Sequence, residues 1–370
     1  MLDLLRQYRR DLHRIPELDF DLPETTRYIK EVLAKYSCRL LQPSPSAVCA
    51  WFNLGKSKTV AFRADMDALP ISECSSKTYA SRHPGKMHAC GHDGHMAMVL
   101  ALAEVVEGRI KNGETLPYNV MLIFQPAEET EGGAESILKS EILTAYHVVR
   151  IFGCHLWPDL PAGTVAARSE AMMARSSEVE VKIQGRSAHI AKARQGQDAL
   201  YAAAAFLTAS YKMEREEIPA GVYRLLKFGI LQSGTVCNAI SASAFLKGSL
   251  RVFDEETFDR IKTRMEEIAG HIERSTGCTF EIGLSTGHPP LLNTPSLFEL
   301  VMNHCAEEVQ LLAEPSMTSE DFSYYARHCP IFFFFLGLGV DTALHTDNFD
   351  FDEAILLSGL EFYEKLLLLP

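Results

Sequence analysis

The sequence predicts an α/β protein: a mixed, largely parallel sheet with helices on both faces, carrying a smaller inserted β-α-β-β-α-β domain. Three observations lead there. Short apolar runs are separated by helical stretches, the order of elements changes in mid-chain, and the length of 370 residues exceeds what one hydrophobic core usually serves.

The opening "LDLLRQYRRDLHRI" spaces its leucines and Tyr8 at helical intervals, and Pro16 ends the pattern. Charges run through it, so it lacks the apolar centre of a signal peptide. Apolar runs follow at "TVAFR" (59–63), "VMLIFQ" (120–125), "VVRIFG" (148–153) and "IFFFFLG" (331–337). Runs this short and this apolar fit strands buried on both faces of a parallel sheet. From 174 to 287 the order becomes strand ("SSEVEVKIQG"), helix ("DALYAAAAFLTASYKMEREE"), two strands ("YRLLKFGILQSG", "SASAFLKGSLRVF"), helix ("DEETFDRIKTRMEEIAGHIERS") and strand ("CTFEIGLS"). That is the ferredoxin-like pattern. Residues 1–173 and 288–370 would then form one discontinuous domain around an insert at 174–287.

A formal net charge of −12 argues against a nucleic-acid partner, which favours a basic surface. The nine scattered cysteines, an odd number, suggest free thiols in a reducing compartment, and hence a cytoplasmic protein. The most apolar run, "IFFFFLGLGV" (331–340), is about half as long as a membrane-spanning helix, so no membrane partner is expected.

The apolar runs lead within a few residues to carboxylates or a histidine: Asp65 and Asp67, Glu128 and Glu129, His155, His345. Ligands of open α/β sheets bind beyond the carboxyl ends of the strands. "HACGHDGH" (88–95) adds Cys90 and His92 just before an apolar helical pattern, with His88 and His95 flanking them as supporting or structural groups. Imidazole, thiolate and carboxylate together suit zinc, manganese, cobalt or nickel better than magnesium. With His345 there are five donors, enough for two cations sharing a bridging group. Such a pair lowers the pKa of a water and polarises a carbonyl. Of two adjacent glutamates, one can bind metal while the other carries the proton. In "DMD" one carboxylate is expected to hold a ligand imidazole in its tautomer. Three rivals are weaker. "GLSTG" (283–287) matches a nucleophile elbow, but "HPPLLNTP" follows where a helix is required. A thiol enzyme built on Cys90 and His92 leaves the other strand-end groups unexplained, and a non-catalytic metal-binding module leaves one of the paired glutamates without work. No G-x-G-x-x-G follows a strand, so a nicotinamide cofactor is not supported.

In order along the chain, "RADMDALP", "HACGHD", "FQPAEE", "CHLWP", "GRSAHIA", "SGTVCNAI", "GSLR", "MTSEDF" and "ALHTDNF" resemble the M20 metallopeptidase family in its amidohydrolase branch, which includes N-acyl-amino-acid deacylases, hippurate hydrolases and N-acetyldiaminopimelate deacetylases. The resemblance implies a zinc-peptidase-like catalytic domain with a ferredoxin-like satellite that forms a homodimer. It implies two divalent cations held by Cys90, His92, Glu129, His155 and His345, with Glu128 as general base and acid and Asp67 orienting the site. His189 would reach the partner's active site and stabilise the oxyanion, while Asn238 and Arg251 would hold the substrate's carboxylate. The implied reaction is hydrolysis of an N-acyl amino acid, with N-acetyl-L,L-diaminopimelate the first candidate and hippurate or conjugated amino acids the alternatives. Departures occur near the substrate: "SAH" for the common "GGH", Lys192 and Arg194 where many relatives carry a Pro-His pair, and Ser319 where relatives often have glycine.

Overall fold

The computed structural model describes residues 1–130 and 132–370. The chain divides into two compact units. The larger comprises Met1–Met172, Leu292–Glu314 and Asp321–Pro370; the smaller comprises Met173–Leu291 and Pro315–Glu320. Strands β1 (Arg39–Leu41), β2 (Val48–Phe52), β3 (Thr59–Asp65), β4 (Asn119–Gln125), β5 (Val148–Trp157), β6 (Val165–Ala167) and β7 (Glu170–Met173) come first. β8 (Arg175–Gln184), β9 (Arg224–Ser233), β10 (Ser243–Val252) and β11 (Thr279–Leu284) form the sheet of the smaller unit. β12 (Leu291–Asn293), β13 (Val309–Leu311) and β14 (Ile331–Gly337) follow. The helices are α1 (Leu2–His13), α2 (Pro23–Leu33), α3 (His92–Lys111), α4 (Gly133–Lys139), α5 (Ile142–Ala145), α6 (Ala199–Glu216), α7 (Glu255–Thr276), α8 (Pro295–Cys305) and α9 (Ile355–Leu367).

The larger sheet has the order β1-β2-β4-β3-β5-β14-β6-β13. Its central run β4-β3-β5-β14 is parallel, while the β1–β2, β2–β4 and β14–β6 pairs are antiparallel. Every residue of β3, β4 and β14 is buried, as strands covered on both faces require. One expectation is corrected. β5 does not stop at residue 153; its pairing with β14 continues through His155 and Trp157, so His155 lies inside a strand rather than beyond one.

In the smaller unit the order β11-β8-β10-β9 is antiparallel throughout, and α6 and α7 pack on the sheet. This is the ferredoxin-like arrangement. Val179, Val181 and Ile183 alternate inward along β8, and each helix opens on an aspartate cap: Asp198 accepts from Tyr201 N at 3.1 Å and Asp254 from Thr257 N at 2.6 Å. Residues 315–320, which the sequence places in the larger domain, group instead with this unit, because Ala174 N donates to the carbonyls of Ser316 and Thr318. No helix follows Ser285 in "GLSTG"; its Oγ accepts from Glu178 N at 2.8 Å. All nine cysteines are free, and no helix among the described residues is long and apolar enough to cross a membrane.

Within the larger unit, α1 packs on α3 through buried charge. Arg9 Nε donates to Asp93 Oδ2 at 2.8 Å, and His13 Nδ1 lies 2.7 Å from the same oxygen while its Nε2 is 3.4 Å from Glu73 Oε1. Burial disfavours a charged His13 ring, but Asp93 and Glu73 outweigh it and raise its pKa. A folded-state pKa above the unfolded one gives stability that is fully present below the unfolded value, near pH 6.5, and lost as pH rises through the folded value. His13→Gln should therefore lower the unfolding free energy by about 1–3 kcal/mol near pH 6 and by less near pH 9. Urea denaturation at both pH values checks this, and a pH-independent difference would contradict it.

Candidate metal centre

Because β4, β3, β5 and β14 run parallel and adjacent, their carboxyl ends share one rim. Asp65 ends β3, Glu128 and Glu129 follow β4, His155 lies near the end of β5, and His345 is in the loop after β14. The start of α3 supplies the rest: Cys90 precedes the helix and His92 is its first residue. Gly91 turns the chain into α3 with φ 86°, and a Cβ there would stand 3.0 Å from Leu156 Cδ1. Glycine both tolerates that backbone and lets the helix start approach β5.

Cys90 is the hub. Its Sγ lies 3.4 Å from His155 Nε2 and 3.2 Å from His345 Nε2. His345 Nε2 is 3.3 Å from Glu129 Oε1. His92 Nε2 stands 3.8 Å from Glu129 Oε1 and 3.9 Å from Glu128 Oε2. The donor atoms of Cys90, His92 and His155 fall within 4.8 Å of one another, and so do those of Cys90, Glu129 and His345. One thiol thus belongs to two donor triplets.

The hydrogen bonds fix the tautomers. His92 Nδ1–H donates to the Asp67 carbonyl at 2.8 Å, and His155 Nδ1–H donates to the Leu156 carbonyl at 2.7 Å. A carbonyl only accepts, so each ring keeps a bare lone pair on Nε2. Burial lowers the pKa of His92, and that of His155 to about 3, which holds both rings neutral. Burial, reinforced by Glu129 and Glu128, pushes the Cys90 thiol well up, so a bound cation is what would favour its thiolate. Glu129 is held below the usual carboxylate range: burial opposes its charge, but His345 beside it prevails. His92 Nε2 and Glu129 Oε1 are buried without a hydrogen bond of acceptable geometry among the described residues. Orphaned imidazole and carboxylate lone pairs beside a thiol fit a borderline divalent cation.

The two aspartates of "DMD" divide differently from expectation. The carbonyl of Asp67, not a carboxylate, sets the His92 tautomer. The Asp67 carboxylate instead accepts from Glu128 N at 2.9 Å and Glu129 N at 3.0 Å, holding both glutamates in place. Burial pushes its pKa well up against the pull of those two amides. Asp65 binds His95 Nδ1 at 2.6 Å and Arg63 Nη1 at 2.7 Å. Burial opposes its charge as well, but the hydrogen bond from His95 and the Arg63 guanidinium hold its pKa well below the usual range. Sequence reasoning missed Arg63 and Asp321, which meet at 2.8 Å and share Gln125. The available signal was an arginine inside the apolar run "TVAFR". His88 has both ring nitrogens buried without a hydrogen bond among the described residues, and burial lowers its pKa to about 3.

Two site residues other than glycine adopt left-handed backbone, Ala127 (φ 53°) and His345 (φ 62°), and such strain gathers where the surroundings dictate geometry. Ala127 N donates to Asp19 O at 3.1 Å and His345 N to Ala89 O at 2.8 Å.

The remaining candidates lie in the smaller unit. His189 is exposed, its Nδ1 accepts from Ala191 N at 3.2 Å, and its backbone bridges Ala239, beside the exposed Asn238. Arg251 is partly buried near the end of β10, bonded to the hydroxyls of Ser249 at 3.1 Å and Ser319 at 3.4 Å. Ser243 and Arg251 are eight steps apart on β10, roughly 26 Å along the strand, and Asn238 lies before the Ser243 end, where its carbonyl accepts from Ile190 N. One chain does not bring them together.

Residues 61–369 match peptidase family M20/M25/M40. An uncharacterized hydrolase of Staphylococcus haemolyticus is 33% identical over 376 residues, covering 99% of this chain and 98% of its own. A solved structure from methicillin-resistant Staphylococcus aureus superposes with a TM-score of 0.92 at 30% identity, over 99% of this chain and 96% of that one. The Bacillus subtilis YXEP protein, a dinuclear metal-binding peptidase from the M20 family, gives a TM-score of 0.86 at 30% identity, over 99% of this chain and 97% of its own.

If Cys90 serves both triplets, Cys90→Ala should lower the metal-to-protein ratio more than loss of either outer ligand alone, His155→Ala or His345→Ala. Elemental analysis of the dialysed proteins measures it, and an unchanged ratio in Cys90→Ala would contradict the arrangement.

Proposed function

The chain belongs to peptidase family M20/M25/M40, a family of metal-dependent hydrolases, and on that premise we propose that it hydrolyses the amide bond of an N-acyl amino acid. The observation that carries this reading is Cys90 shared between two donor triplets, with Glu128 anchored beside them through its own backbone amide. Cys90, His92, Glu129, His155 and His345 would hold two divalent cations. When bound, these supply Lewis acidity that polarises the scissile carbonyl and eases deprotonation of water.

The other roles fall to the chain. Glu128 accepts the proton of the attacking water and delivers it to the leaving nitrogen as the C–N bond breaks, yielding a carboxylate and a free amino acid. Asp67 supports this indirectly: by gripping the Glu128 and Glu129 amides it keeps the base and a cation ligand at a fixed separation. His189 stabilises the oxyanion, and Asn238 and Arg251 recognise the substrate's free carboxylate. Since Asn238 and Arg251 stand at opposite ends of β10, a common substrate needs His189 and Asn238 from one copy and Arg251 from another. A homodimer through the smaller unit meets that need. Apolar side chains available to such a contact are Leu200 and Tyr201 on α6, and Ile230 and Leu231 on the edge strand β9, all exposed.

Among substrates, N-acetyl-L,L-diaminopimelate ranks first. Lys192 and Arg194 are exposed beside His189, which favours a second carboxylate on the substrate. Hippurate and conjugated amino acids are the alternatives. A panel of N-acyl amino acids assayed with manganese-, zinc-, cobalt- or nickel-loaded enzyme discriminates among them.

Glu128→Gln should retain metal and lose about 10²–10⁴-fold in turnover. Mixed dimers of Glu128→Gln and His189→Ala subunits should regain part of the activity, because one of their two sites is intact. Glu128→Gln turnover within a few-fold of wild type, or verified mixed dimers without recovery, would refute the respective assignments.

A further inference from the structure

We propose that His95 is a positioning residue for His155, acting through the peptide of Leu156 that lies between them. The inference rests on His155 being a cation ligand, and its geometry lies within the larger unit. Pairing between β3 and β5 ends at Arg63 and Gly153, so Leu156, three residues further on, has no β3 partner for its backbone. Buried backbone groups left over in this way must be satisfied from elsewhere. Two imidazoles do so. Leu156 N donates to His95 Nε2 at 2.9 Å, and the Leu156 carbonyl accepts from His155 Nδ1 at 2.7 Å.

The first of these bonds decides the state of His95. An amide N–H only donates, so His95 Nε2 presents a lone pair and the ring proton sits on Nδ1, where it donates to Asp65 Oδ1 at 2.6 Å. Both nitrogens of His95 are therefore committed, which excludes it as a ligand although it belongs to a possible donor group with Asp65 and His92. His95 lies one helical turn from His92 on α3, with ring centroids 5.4 Å apart, and its ring is 4.8 Å from that of His155.

Asp65 is fixed in turn. Arg63 bonds it at 2.7 Å and reaches Asp321 at 2.8 Å, and Asp321 also accepts from Gln125 and from Ala134 N. A buried series thus runs from Asp321 through Arg63, Asp65 and His95 to the Leu156 peptide, and ends on His155 with its Nε2 lone pair directed at Cys90. Hydrogen-bonded partners behind a ligand imidazole fix its tautomer and ring plane, and their loss typically costs 10–100-fold in metal affinity.

Two substitutions separate the bonds His95 makes. His95→Gln places an amide oxygen where Nε2 was and can still accept from Leu156 N. His95→Asn keeps a donor to Asp65 but is too short to reach Leu156. Nitrogen NMR of labelled histidine on the metal-free proteins reads the His155 tautomer, and competition between a chromophoric chelator and cobalt(II) reads affinity. Wild type and His95→Gln should show one His155 tautomer with the proton on Nδ1. His95→Asn should show a mixture and a weaker cobalt site, by about 10–100-fold. His95→Asn with the wild-type tautomer and affinity, or the two variants behaving alike, would overturn the inference. Wild-type protein that binds no cobalt at all would overturn the metal reading, and this inference with it.

Discussion

Asp67 ties together three stretches of chain that are distant in sequence. Its carboxylate takes the backbone amides of Glu128 and Glu129, and its carbonyl takes the Nδ1–H of His92. The residue lies two positions past the end of β3, so the parallel sheet places it, and it places the loop after β4 and the start of α3. The separation between the proposed base, its neighbouring carboxylate and one imidazole depends on this single side chain and its peptide. A carboxylate satisfied by two backbone amides has little freedom left, and precision of that kind is what a preorganised site needs.

Charge buried deeper serves the same end. Arg63 between Asp65 and Asp321, and Arg9 against Asp93, sit in the interior of the larger unit. Buried ion pairs cost desolvation that their attraction often fails to recover, so such clusters are weak sources of stability. Their value here is directional. Asp93 follows His92 on α3, and Asp65 precedes Asp67 by two residues, so one ionic cluster grips the backbone next to a donor of the centre and the other the backbone next to the residue that positions the donors. Burial opposes the charge on Asp93, yet Arg9 and His13 keep its pKa far below the usual range.

Much of this was legible in the sequence because it is local or periodic. The apolar run of β14 was bounded to the residue, and the change of element order marked the ferredoxin-like unit. The thiol, the imidazoles and the paired glutamates stood out because such groups rarely fall together after separate strands. What escaped depends on contacts that sequence spacing does not encode. The end of β5 is set by its partner β14 rather than by its own residues. The division of labour between Asp65 and Asp67 depends on which backbone amides come within reach of each. The separation of Asn238 from Arg251 was accessible by counting, since a whole strand lies between them.

If Cys90 binds both proposed cations, its sulfur would stand between them. Anomalous diffraction from zinc-loaded crystals, measured on either side of the zinc edge, tests it directly. The account predicts two peaks, each about 2.3 Å from Cys90 Sγ, one beside His155 or His92 and the other beside Glu129 or His345. A single peak, or a pair in which only one ion touches that sulfur, would contradict it.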